Sequence, residues 1–345
     1  VYADAIAADA QNVQARNGLG WVLWDLGRHG AAAEVFQASV DIHVTGNALS
    51  GLASSGYRAG DLPLGDAIEM LDAAVSIDPD DIWSLREKGW LLRQGGQLVD
   101  AEVAFGAALR ADSEDANAHY GLGRVLANLD RHEEALESYA RAIALDGDEI
   151  GPYLHRSYAL RALDRNAQAM RDAERVIAMD PSYSGGHVEK ALALVALKQR
   201  SQALEIFHAA REAGIADNYL LYWYADTLTE DGQDEEALSV IDAALALEGR
   251  AAVDYSLKAY IANRLDRFDT ALQAAQAAVD HDPDLAYAHY HAAVALLGQG
   301  DANAGMARFD VAMDKGLPSH MVGEFASQLV RQGKYLAAIA LRGKY

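Results

Sequence analysis

The chain has no cysteine. That excludes disulfides, thiolate nucleophiles and cysteine-bound metals, and it suits the cytoplasm and the bacterial periplasm alike. Basic residues are scarce: 29 Lys and Arg stand against 51 Asp and Glu, for a formal net charge of -22. A negative field of that size repels nucleic-acid phosphates and anionic lipid, so no nucleic-acid partner is expected. No apolar run approaches the length of a membrane-spanning helix, and no secretory signal opens the chain. The sequence also lacks H-E-x-x-H, G-x-S-x-G, a P-loop and a glycine-containing acidic calcium loop. The expectation is a chain that is not an enzyme, with no catalytic residue, cofactor or metal.

What is present is a period. Ala67, Ala101, Ala135, Ala169, Ala203, Ala237 and Ala271 stand 34 residues apart. Gly89, Gly123, Ser157, Ala191, Ala225, Ala259 and Ala293 keep the same step with small residues only. Asp-Pro recurs at Asp78-Pro79, Asp180-Pro181 and Asp282-Pro283. A fixed period of this length means stacked supersecondary units, each contacting only its neighbours. Residues 116–149 show the unit. Its first half places His119, Leu122, Gly123 and Leu126 at helical spacing, and its second half places Ala135, Tyr139, Ala142, Ile143 and Leu145 on one stripe. Gly123, Ala135 and Ala142 mark the close crossing of the two helices, with Leu126 and Tyr139 filling space beside it. Between the helices come Gly27, Gly96, Asp130, Asp164, Gly232, Asp266, Gly300 and Gly333, types that tolerate a left-handed backbone. Proline then stops the second helix.

Small residues at places 8 and 27, alanine at 20 and proline at 32 resemble the tetratricopeptide repeat, and GLGRVLANLDRHEEALESYARAIALD matches that pattern closely. The resemblance implies an all-α, right-handed superhelical solenoid of antiparallel helix pairs, about ten units long, whose shared property is protein–protein scaffolding. The units fall at 13–46, 47–81, 82–115, 116–149, 150–183, 184–217, 218–251, 252–285, 286–318 and a partial 319–345. Residues 1–12 read as the second helix of a preceding partial repeat. Both ends read as cut from a longer protein, which predicts end-to-end self-association.

Places 2, 5, 9, 12 and 13 share one side of each first helix, opposite the burying places 4, 7, 8 and 11. In the resembled family that side lines a concave groove for peptides. In the first five units it carries Trp21, Trp24, Trp83 and Trp90, with Tyr120 and Tyr158. It also carries Arg58, Arg86, Arg93, Arg124 and Arg161, opposed by one acid, Asp25. Tryptophan and arginine are the types enriched where binding energy concentrates, and arginine matches carboxylates bidentately. One reading is a groove for a protein or peptide partner with an acidic or C-terminal carboxylate segment. The other is that the rings pack between adjacent first helices and the arginines pair with neighbours such as Glu87. A secondary groove follows in Tyr219, Tyr222, Tyr260, Tyr287 and Tyr290, near Asp226 and Glu230. The family's lysine–asparagine–arginine carboxylate clamp is not reproduced, since Trp21 and Trp90 stand at its asparagine place. His119, His187 and His289 share one repeat place and are expected to pack against their own second helices. His289 and His291, two apart, point to different sides and share no metal. A peptide-binding scaffold is the first functional reading. The alternative is the substrate-recruiting arm of a larger bacterial enzyme, or of an envelope secretion or polysaccharide-export assembly.

Overall fold

The computed structural model describes residues 1–247 and 251–345, so the end of the repeat expected over 218–251 lies partly outside the described residues. Among the described residues there are 21 α-helices and no strand. The chain divides into two compact units, Val1–Arg175 and Val176–Tyr345, the division falling in α11. The N-terminal unit holds α1 (Tyr2–Ala8), α2 (Val13–Asp25), α3 (His29–Ile42), α4 (Gly46–Ala59), α5 (Leu64–Ile77), α6 (Ile82–Gln94), α7 (Leu98–Ala111), α8 (Ala116–Asn128), α9 (His132–Leu145), α10 (Ile150–Ala162) and the start of α11 (Asn166–Met179). The C-terminal unit continues with α12 (Ser184–Ala196), α13 (Arg200–Glu212), α14 (Asn218–Glu230), α15 (Asp234–Leu245), α16 (Ala252–Arg264), α17 (Phe268–His281), α18 (Ala286–Gly298), α19 (Ala302–Asp314), α20 (Met321–Arg331) and α21 (Tyr335–Lys344).

Within each unit every first helix packs on its own second helix and on the first helix of the next repeat. Helices of three to four turns are marginal alone; here each buries a stripe on both neighbours. The periodic alanines Ala67, Ala101, Ala135, Ala203, Ala237 and Ala271 have no exposed surface. Beside them a buried ring sits between two first helices. Phe105 is the clearest case: a Cβ on Gly89 of its own repeat would lie 2.8 Å from the ring, and one on Gly121 of the next repeat 2.2 Å. Burying such a side chain contributes roughly 1.5–3 kcal/mol, and only glycine leaves room for it on both sides. Tyr139 repeats the arrangement against Gly123 at 2.6 Å. Tyr2 of α1 lies against Gly18 of α2 at 2.5 Å in the same way, as a residue of a second helix should.

All eight turn residues expected to be left-handed are so: Gly27, Gly96, Asp130, Asp164, Gly232, Asp266, Gly300 and Gly333 have positive φ. Lys198, at the equivalent place in its repeat, joins them at φ 64° although its side chain gives no help there. The structure adds detail to the expected units. The first helix of the second repeat begins at Gly46, because Thr45 caps α4 by accepting from Ala48 N at 3.1 Å. The last begins its first helix at Met321, two residues after 319. The histidines at the fourth place also reach back along the chain. His119, His187 and His289 bring Nε2 to the carbonyls of Ser113, Pro181 and Pro283 at 3.1, 2.9 and 3.0 Å, tying each first helix to the turn before it. The acidic starts of second helices reach across to the next repeat. Asp234 is ion-paired to Arg264 and Glu235 accepts from Arg267, each at 2.8 Å. Glu102 accepts from Arg131 likewise at 2.7 Å.

Candidate functional site

The first-helix residues of the N-terminal unit separate into two clusters with different chemistry. The first gathers Trp21, Trp24 and Trp83. The Trp21 ring stands 4.4 Å from Trp83 and 6.1 Å from Trp24, and it leans on buried Phe36 at 5.0 Å. Both neighbouring indole N–H groups are already used: Trp21 donates to Asn47 Oδ1 at 3.1 Å and Trp24 to Ser54 Oγ at 3.0 Å. Arg58 stands over Trp24 at 5.0 Å and is ion-paired to Glu87, a carboxylate only 6% exposed. Ser54 completes the network by donating to Glu87 at 2.8 Å. The Trp21 and Trp24 indoles, Arg58, Ser54 and Glu87 thus satisfy one another or Asn47 within this cluster. Arg86 is also spoken for. It bonds Asp115 at 2.8 Å, and Asp115 caps α8 through Ala118 N at 2.6 Å. Arg58 and Arg86 therefore follow the second of the two readings, arginines paired with neighbours such as Glu87, and their acids Glu87 and Asp115 come from the adjoining structure.

The second cluster is open. Arg93 at the end of α6 stands 5.4 Å over Trp90, and Arg124 of α8 stands 5.8 Å over Tyr120. Trp90 and Tyr120 lie 5.7 Å apart. Neither arginine has a carboxylate partner among the described residues. The long bond from Arg93 to Asn128 Oδ1, 3.4 Å, is its one side-chain hydrogen bond, and its Nε is buried with no acceptor. Burial and then the charge of Arg124 push the Arg93 guanidinium below its ordinary pKa. Arg124 donates to the Tyr120 hydroxyl at 3.1 Å. His155 Nδ1 lies 2.9 Å from the Gly151 carbonyl and 3.2 Å from the same hydroxyl. A carbonyl only accepts, so Nδ1 carries the proton, and the Tyr120 oxygen accepts from two sides. Its own hydrogen is not taken up by either of these contacts. Burial, helped by Arg124, pushes His155 down to about 4, so the ring stays neutral. The cluster presents donors and positive charge without an internal carboxylate, the chemistry of an anion-binding surface. Tyr158, 52% exposed, and Arg161, whose guanidinium stands 5.7 Å over that ring, lie apart as a separate pair.

In the C-terminal unit Tyr222, Tyr260 and Tyr287 line one cavity of about 830 Å3, together with Asp226 and His291. Tyr219 lies exposed beside Trp223 at 6.5 Å. Tyr290 lines the same cavity but is only 5% exposed, its ring packing 6.1 Å from Phe309 and 6.3 Å from Phe325. Val188 and Leu192, at the fifth and ninth places of their first helix, are buried.

Sequence reasoning missed the residues at the sixth place of the first helix. Gly18 and Gly121 hold that place with no side chain, but Glu87, His155, Glu189 and His291 put an ionisable group there. An ionisable residue at a place held by glycine in two repeats and by Trp223 and Leu257 in two others is the signal that was available.

A sequence model of the tetratricopeptide repeat matches residues 1–43 and 86–150. The helix pairs, their stacking and their left-handed turns agree with it in both units. Residues 1–43 and 86–150 match the tetratricopeptide repeat, and the helix pairs of the remaining described residues share its fold. Among solved structures, a tetratricopeptide repeat protein from Parabacteroides merdae superposes with a TM-score of 0.60 at 17% identity, covering 78% of this chain and 98% of that one. The Pseudomonas aeruginosa protein pilF matches with a TM-score of 0.47 at 21% identity, covering 59% and 92%. YrrB, described as a TPR protein with an unusual peptide-binding site, matches with a TM-score of 0.43 at 22% identity, covering 56% and 100%. These likenesses are of fold. No curated protein matches the sequence. Among the described residues, no helix is long and apolar enough to cross a membrane.

Proposed function

We propose that the chain is a non-catalytic scaffold that binds a peptide segment of a partner protein along its first helices, and that the segment is anchored by a carboxylate at Arg93 and Arg124. One observation carries this reading. In a chain of net charge -22, two arginines on consecutive first helices stand together without a carboxylate of their own. Leaving two like charges side by side costs stability, and a ligand carboxylate would relieve that cost. Trp90 and Tyr120 offer flat apolar faces beside the charges, suited to an aliphatic or aromatic neighbour in the peptide. The tryptophan trio contributes rigidity, because its rings pack on one another and the Trp21 and Trp24 donors are already used.

The test is fluorescence anisotropy with a labelled octapeptide of aspartate, glutamate and leucine bearing a free C-terminal carboxylate. Its asparagine–glutamine counterpart is the control. The parent chain is expected to prefer the acidic peptide, and the double variant Arg93→Gln/Arg124→Gln to bind it more than tenfold more weakly, about 1.4 kcal/mol or more. Equal affinity of parent and double variant, with helicity unchanged by circular dichroism, would remove this cluster from the binding face.

A further inference from the structure

The cavity of the C-terminal unit has the opposite polarity. Its walls come from α14, α16, α18 and α20, successive first helices. Tyr222 and Asp226 stand one turn apart on α14 and so share a face. The Asp226 carboxylate is partly buried and has neither a hydrogen bond nor a cation among the described residues. Its charged neighbour is Glu230, of like sign, and that residue is itself held by Arg200 at 3.0 Å. Burial and Glu230 push Asp226 up to about 6, so at neutral pH the wall carries a negative charge with nothing to balance it.

The basic groups nearby do not supply the balance. Arg264 stands over Tyr260 at 5.7 Å but is fixed by Asp234 at 2.8 Å. Arg331 lies on α20, across the cavity, on the same helix face as the exposed Glu324. His291 sits among three tyrosine rings, 5.4 Å from Tyr260, 6.3 Å from Tyr287 and 5.5 Å from Tyr290. A cationic imidazole there would occupy the aromatic site itself. Burial instead pushes His291 down to about 4, so it is neutral. Asn263 adds an amide oxygen with no donor facing it. The cavity thus combines tyrosine faces, neutral acceptors and one uncompensated carboxylate.

We propose that this cavity takes an arginine side chain from a basic segment of a partner peptide, with Asp226 as its counter-ion and the faces of Tyr222 and Tyr287 as its shelf. Arginine fits better than lysine because its planar guanidinium stacks on an aromatic face while bonding a carboxylate. The volume exceeds one side chain and leaves room for the adjoining main chain. The proposal rests on the reading that the first-helix face binds peptides, and it assigns that face a second ligand chemistry.

The experiment uses the full 345-residue chain. Its probe is a fluorescein-labelled, acetylated and amidated octapeptide alternating arginine with glycine. A peptide with citrulline, the neutral isostere, replaces it in a parallel titration. The arginine peptide is expected to bind at least about tenfold more tightly than the citrulline peptide. Asp226→Asn should remove most of that preference. Glu205→Gln, an equal change of net charge at an exposed place on α13, should leave it intact. Tyr287→Leu keeps every charge and should weaken the arginine peptide by about fivefold. Equal binding of the arginine and citrulline peptides overturns the proposal, as do equal losses in Asp226→Asn and Glu205→Gln, which would mean general attraction to an acidic chain. The acidic octapeptide is titrated in the same samples. If it binds through Arg93 and Arg124 while the arginine peptide does not bind, the cavity assignment falls and the proposed function stands.

Discussion

Tyr120 and Arg124 hold the fifth and ninth places of their repeat; Tyr222 and Asp226 hold the same two places of theirs. In both, a tyrosine stands one helical turn before a charged group, and in both the charge lacks a partner of opposite sign among the described residues. The sixth-place histidines, His155 and His291, are each pushed down to about 4 by burial, so neither adds charge. What differs is the sign at one place. The comparison teaches that the repeat supplies geometry and depth, and the ninth-place residue supplies polarity. The neighbouring tryptophan trio shows the third outcome. There Arg58 meets Glu87, the charges cancel, and the surface becomes packing.

The largest expected effect comes from reversing that sign. Arg124→Asp leaves Arg93 facing a carboxylate supplied by the chain itself, which fills the place meant for a ligand. The acidic octapeptide should then bind roughly 100-fold more weakly, about 2.7 kcal/mol, by the same anisotropy titration. Helical content should be unchanged, since Arg124 is half-buried and makes one hydrogen bond, to Tyr120. Retained affinity would break the comparison by detaching ligand polarity from the ninth place.

A smaller effect tests the other half of the comparison through stability. The Asp226 carboxyl holds its proton up to about 6 in the folded chain against an ordinary 3.8. Folding therefore takes up a proton between these values, and stability falls as pH rises through that window. At neutral pH the penalty is fully present; below about pH 4 it is gone. Asp226→Asn should stabilise the chain at pH 7 by about 1–2 kcal/mol, after discounting for the exposed part of the group, and should have little effect at pH 4. Chemical denaturation at the two pH values reads the difference. A carboxylate whose removal stabilises the fold and weakens a ligand is one kept for the ligand. Destabilisation at pH 7 would instead mean that Asp226 has a partner in the fold.

The fold was legible because each repeat restates it. Ala135, Gly123 and Asp130 each occupy a place whose demand is steric or conformational, so residue type alone carries the message: no exposed surface, a ring 2.6 Å from a would-be Cβ, a φ of 58°. The binding face was legible in part. Arg93, Arg124, Trp90 and Tyr120 fall together as helical spacing says they should. Arg58 and Arg86 do not stay free, because their acids come from other helices, Glu87 from the next repeat and Asp115 from the cap of the next first helix. Periodicity within one helix reports which way a side chain points. It does not report what the neighbouring repeat places opposite. Tyr290 shares the cavity with Tyr222, Tyr260 and Tyr287, but its depth was not legible, since Phe309 and Phe325 lie beyond its own helix.

The smallest expected effect separates the floor of the anion cluster from its mouth. Tyr139 lies beneath Tyr120 and His155, at ring distances of 6.2 and 6.5 Å, with no exposed surface. Its hydroxyl is buried with no partner among the described residues, and burial holds its pKa above the ordinary phenol value. An unsatisfied buried hydroxyl is a cost, so Tyr139→Phe should leave stability unchanged or raise it by up to about 1 kcal/mol. Tyr224→Phe is the matched control, because the Tyr224 hydroxyl donates to Glu236 at 3.2 Å and its loss should lower stability by about 0.5–1 kcal/mol. Thermal denaturation of the two variants gives the contrast. The acidic-peptide titration then assigns the hydroxyl. If Tyr139→Phe binds within about twofold of the parent, the phenol is floor, and the donors that meet a ligand are Arg93, Arg124 and Tyr120 alone. If affinity falls while stability rises, the orphaned hydroxyl is itself held for the anion, and the N-terminal site is deeper than its arginines.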